Sequence, residues 1–163
     1  MCYIFQENEI TPIKAEEDIK VFKIGHLSCG GLMSINRGAL YQFKQVKTAE
    51  RFWEQLIVSP FEGEYMTGPG LYSIATEEKA KEYLNDILRF ARSSRVFKAR
   101  IYIGYIPKGS YYLKTDDDMY ISDNLVVLNK VFDYYPKLSE KFWELHGEMI
   151  RAYVPENIIP RVE

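Results

Sequence analysis

Residues 65–84 read YMTGPGLYSIATEEKAKEYL, and the order of features within them decides how the chain is parsed. Two glycines enclose a proline, which marks a turn. GLYSIA then reads as extended chain. Thr76 stands where a helix N-cap belongs, Glu77 and Glu78 fall in the first turn, where acidic side chains suit the helix dipole, and Ala80, Tyr83, Leu84, Ile87, Leu88 and Ala91 form one apolar stripe. The stretch therefore predicts turn, strand and then a helix from Glu77 to about Arg92, and it places one aromatic ring before the helix (Tyr72) and another on it (Tyr83).

Outward from this centre, DIKVFKI (18–24) alternates, so Ile19, Val21 and Lys23 share one face of a strand and Phe22 and Ile24 the other. GHLSCGGLMSINRG reads as a mobile loop, ALYQF as a short strand, and TAERFWEQLIV (48–58) as a helix capped by Thr48. RVFKARIYIGYI and DNLVVLNKVF predict strands, IPKGSYYLK a turn into another, TDDD a solvated tip, and SEKFWELHGEMIRAYV a broken helical stripe. Strands at both ends with helices between them imply an α+β fold with antiparallel sheets, in a single domain spanning 1–163.

Composition narrows the function. The net charge is −2, with no long basic run, so a nucleic-acid surface is not expected. No apolar run reaches the length of a membrane span, and MCYIFQENEI lacks the features of a secretory leader, so no membrane association is expected. Cys2 and Cys29 read as reduced thiols of a cytoplasmic protein. With only His26 and His146, and no Cys-x-x-Cys pair, no metal site is expected.

Tyr65, Met66, Gly68, Gly70, Leu71, Tyr72, Lys79, Ala80 and Tyr83 occupy, at matching spacing, the central pattern of the poly(ADP-ribose) polymerase branch of the ADP-ribosyltransferases, which this chain resembles. IPKGSYYLK is similar to that family's L-P-K-G segment. SDNLVVLNKV is similar to its glutamate-bearing strand, with Asp123 at the glutamate's place, and VFKIG to its opening strand. On the last register Lys23 stands where a histidine or arginine would, and Gly25 comes one place late; the alternative register puts Ile24 there and leaves His26 just beyond the glycine.

The resemblance implies an ADP-ribosyltransferase-like split antiparallel β-sandwich with flanking helices. Tyr72 and Tyr83 would then flank the nicotinamide ring of NAD, with Gly25, His26 and Gly70 at the nucleotide and Lys23, Tyr72 and Asp123 at the catalytic positions. Because aspartate reaches less far than glutamate and lysine replaces an imidazole or a planar fork, it implies a divergent domain that binds NAD or a related nucleotide, with or without turnover. Two alternatives stand beside it: an active mono-ADP-ribosyltransferase using Asp123 on a protein acceptor, and a protein-interaction domain in which Tyr83 is simply core.

Overall fold

The computed structural model describes residues 3–6, 12–35, 39–52, 56–58, 64–67, 70–89, 98–115 and 117–134, with 144, 145 and 148. In chain order the strands are β1 (Tyr3–Gln6), β2 (Ile13–Lys14), β3 (Ile19–Ser28), β4 (Gly31–Ser34), β5 (Leu40–Gln42), β6 (Val46–Thr48), β7 (Leu56–Val58), β8 (Glu64–Thr67) and β9 (Leu71–Ile74). The helix α1 (Glu77–Arg89) follows, then β10 (Arg100–Ile106), β11 (Tyr111–Lys114), β12 (Met119–Ser122) and β13 (Asn124–Val131). The fold is α+β and dominated by antiparallel sheet. Among the described residues, β1, β8 and β7 form a three-stranded sheet, and a ten-stranded sheet runs β2-β11-β12-β9-β3-β10-β13-β6 with β4 and β5 attached beside β3.

The centre of the large sheet is β3, whose alternation sorts two cores. Phe22 and Ile24 join Ile74, Ala80, Leu84, Leu88 and Ile101 under α1. Val21 joins Leu32, Tyr41, Leu71, Tyr102 and Leu125 on the opposite face. The helix starts as the sequence requires: the Thr76 hydroxyl accepts from Lys79 N–H at 3.2 Å, its carbonyl accepts from Ala80 N–H at 3.0 Å, and Glu77 and Glu78 occupy the first turn. Lys79 also reaches Asp117 at 2.8 Å, fastening α1 to the turn between β11 and β12.

Two expectations are corrected. The segment GHLSCGG is no mobile loop but a hairpin: β3 runs to Ser28, Ser28 pairs with Gly31, and Cys29 (φ 49°) and Gly30 (φ 75°) make the two-residue connection. Positive φ at both central positions is the type I′ geometry that matches the twist of the flanking strands. Nor is 48–58 a helix in its described part. Val46–Thr48 pairs with β13, the Thr48 hydroxyl donates to Asn124 Oδ1 at 2.8 Å instead of capping a helix, Ala49 N–H donates to the Asp123 carbonyl, and Leu56–Val58 is a strand. Pairing along the otherwise open edge of β13 outweighs helical spacing over so short a run. The expected final helix lies largely outside the described residues.

Candidate functional site

The ten-stranded sheet forks at β3. Gly25 pairs with Arg100 of β10 and Ser34 of β4, so β4 lies on the edge opposite β10. Phe22 pairs with Ile103 of β10 and Ile74 of β9, so β9 shares that edge. Between these two partners fall Lys23 and Ile24, and there β9 and β4 splay apart. A cleft of ≈ 450 Å³ occupies the fork, within the range of about 300–1,000 Å³ usual for small-molecule sites.

Alternation gives this cleft two unlike sides. Tyr72 shares a face with Ile74, which packs under α1, and it lines the cleft there with Tyr83 and Ile87 of α1, Ile24 and Met119. This side is aromatic and aliphatic. Ser73 shares the other face with Leu71 and lines the cleft with Lys23, Tyr41 and Lys47. That side is polar and cationic. The Lys23 ammonium donates to the Tyr72 carbonyl, tying β3 to β9 just where their ladder ends, and it lies 4.9 Å from the centroid of the Tyr41 ring. The Lys47 ammonium lies 5.3 Å from that centroid and donates to the Leu40 carbonyl at 3.0 Å. Tyr41 is itself only 3% exposed. Arg51 and Glu50 complete the charged lining. Ser73 is 1% exposed, and its buried hydroxyl has no hydrogen-bond partner among the described residues.

Of the residues singled out from sequence, Lys23, Gly70, Tyr72 and Tyr83 converge on the cleft. The choice between Lys23 and His26 is decided geometrically: Lys23 faces the cleft, while His26, half-buried and paired with Met33, is absent from its lining. Gly25 does not line it either. A Cβ there would meet the Met33 carbonyl oxygen at 2.4 Å, so the glycine admits β4, not a ligand. Gly70, with φ +134°, does line the cleft, and a Cβ there would strike Ile121 at 2.4 Å.

Asp123 stands next to the cleft wall but turns away from it. Its carbonyl accepts from Ala49 N–H, whereas its carboxylate accepts from Tyr111 N–H at 3.0 Å and from the Asn124 side-chain amide at 3.2 Å. The carboxylate thus braces the corner between β12 and β13. Glu50 is the carboxylate among the lining residues described, and sequence reading passed over it, with Tyr41, Lys47 and Ser73, because 48–58 was assigned to a helix and Ser73 carries no signal beyond strand alternation. Among the described residues no group of histidine, cysteine, aspartate or glutamate side chains could hold a metal ion, and no helix is long and apolar enough to cross a membrane. No family model, no curated protein and no solved structure matches the chain.

Proposed function

We propose that the cleft binds NAD or a related nucleotide, with the base ring on the side of Tyr72 and Tyr83, as a divergent ADP-ribosyltransferase-like module in which Asp123 does not drive turnover. The observation that carries this reading is convergence: Lys23, Gly70, Tyr72 and Tyr83, spread over sixty-one positions of sequence (from 23 to 83, both ends counted), line one fork in the sheet. A flat cationic ring gains from aromatic faces, and an apolar wall strengthens that gain by excluding water. The Asp123 carboxylate, held by Tyr111 N–H and not part of the cleft lining, would have to move to reach a ligand there, and a misplacement of about 1 Å costs on the order of a hundredfold in rate.

Titration calorimetry with NAD and ADP-ribose, run beside an assay for nicotinamide release, tests the reading. Binding without release is expected. Tyr72→Ala should weaken NAD by about 1–3 kcal/mol, the worth of a lost stacking ring, and Asp123→Asn should leave affinity unchanged. Absence of binding at millimolar ligand would reject the nucleotide reading in favour of a protein-interaction surface. Nicotinamide release would instead establish an enzyme, and comparing Asp123→Asn with Glu50→Gln would then identify its carboxylate.

A further inference from the structure

We propose that Met119 sets the depth of the apolar side of the cleft and makes it selective for a single six-membered ring over a fused bicyclic one. This rests on the reading that a flat ring lies against Tyr72 and Tyr83, and it adds which side chain limits the size of that ring.

The apolar side has a rim and a floor. Tyr72, Tyr83 and Ile87 are half-buried and form the rim. Ile24, Ile74 and Met119 line the same cleft, but they are no more than 5% exposed and belong to the core cluster under α1. They form the floor, which a ring entering between the tyrosines meets with its inner edge.

The main chain of this floor is fixed. Met119 pairs with Ile74, its N–H donates to Thr115 Oγ1 at 3.2 Å, and its carbonyl accepts from Thr115 N–H at 2.9 Å. The turn before it is held as well: the Asp118 carbonyl accepts from Ala75 N–H at 2.8 Å, and Asp117 accepts from the Lys79 ammonium of α1 at 2.8 Å. Side-chain volume, not backbone movement, therefore decides how deep a ring can go.

Within the floor Met119 is the variable part. Ile24 and Ile74 are β-branched and stiff, and they stand where β3 and β9 are paired, Ile24 with Ile101 and Ile74 with Phe22. Met119 is unbranched, and such a side chain fills the irregular gap left between stiffer neighbours. The interior behind it is packed too closely to take a second ring, so a fused system has to displace the thioether, whereas a single ring stops short of it. A methylene more or less in an apolar pocket changes affinity by about ten- to two-hundredfold.

The test titrates nicotinamide and quinoline-3-carboxamide, the same carboxamide-bearing ring with a second ring fused to it, into the wild type, Met119→Ala, Met119→Leu and Met119→Phe. The wild type should bind nicotinamide at least about tenfold more tightly than quinoline-3-carboxamide. Met119→Ala hollows the floor and should reverse that order, and quinoline-3-carboxamide should raise the melting temperature of this variant more than that of the wild type as it fills the hole. Met119→Leu keeps the volume and should restore the wild-type order. Met119→Phe fills the floor and should weaken nicotinamide at least about tenfold. A residue serving the core alone would shift the melting temperatures of these variants and leave the order of the two ligands as it was. An unchanged order in Met119→Ala overturns the proposal, and so does wild-type affinity of Met119→Phe for nicotinamide, which decides the matter if the alanine variant does not fold. If Tyr72→Ala loses nicotinamide while the Met119 variants keep the wild-type order, the ring site stands and Met119 has no part in its selectivity. If the wild type binds neither ring at millimolar concentration, the ring site falls and the depth assignment with it.

Discussion

A methyl group added at Gly25 would lie 2.4 Å from the Met33 carbonyl oxygen and 2.9 Å from the Leu32 side chain, and neither can yield without moving β4 away from β3. Gly25→Ala should therefore destabilise the protein by about 1–3 kcal/mol in chemical denaturation, the usual cost of overpacking. Because Gly25 pairs with Ser34 at the mouth of the fork, ligand affinity should fall with it. At this scale much of the site was legible. Tyr72, Tyr83 and Gly70 were readable because turn, strand and helix follow one another within a few residues and local rules fix their relative placement. Lys23 was named through the resemblance of VFKIG to the family's opening strand, and alternation placed it on one face of β3 with Val21. Asp123 and Gly25 were not, because what each side chain or missing side chain meets is set by strands distant in sequence: Tyr111 for the carboxylate, β4 for the glycine.

Helix α1 carries Tyr83 and Ile87 to the cleft, so its first turn matters to the site as well as to stability. The Thr76 hydroxyl satisfies a main-chain N–H that no residue within the helix can reach, and Thr76→Ala should cost about 1 kcal/mol in denaturant unfolding, with Thr76→Ser close to neutral. Equal losses for both variants would assign the effect to the methyl group. Elements whose signals are local, α1, β3, β9, β10 and β13, were legible from sequence for this reason. The hairpin at Cys29–Gly30 was not, since cysteine is an unusual occupant of a left-handed turn position and the glycine-rich run suggested disorder of the backbone instead. The segment after Thr48 was misread because its apolar spacing fits a helix, while β13 offers Val46–Thr48 an open edge to pair with.

At the scale of the whole molecule, Tyr102, Tyr120 and Lys79, among the described residues, tie stability to alkaline pH in one direction. Burial raises the Tyr102 phenol above its ordinary 10.0, opposed in part by Arg100; the ring is 3% exposed and stacks on Phe43 at 5.7 Å in the core opposite α1. Burial, helped by Asp118, raises Tyr120 as well. The hydrogen bond that the Lys79 ammonium donates to Asp117 raises Lys79 above 10.5. For each, the folded state holds its proton more firmly than the unfolded chain does, so the contribution is complete below the unfolded value and disappears as pH climbs through the raised one. Lys79 adds little, because its partner is 60% exposed and water screens the pair. The two tyrosines should dominate. Melting temperature is thus expected to hold up to near pH 10, the ordinary phenol value, and to fall as pH climbs above it. Tyrosinate absorbance should show Tyr102 and Tyr120 ionising late, together with unfolding. Tyr102→Phe keeps the stacked ring and deletes the ionisable group, so it should flatten that alkaline limb while changing stability little at neutral pH. An unchanged slope in Tyr102→Phe would mean that the core opposite α1 admits water to the phenol and that the cleft's polar side, built on the same face, is less sealed than its geometry implies.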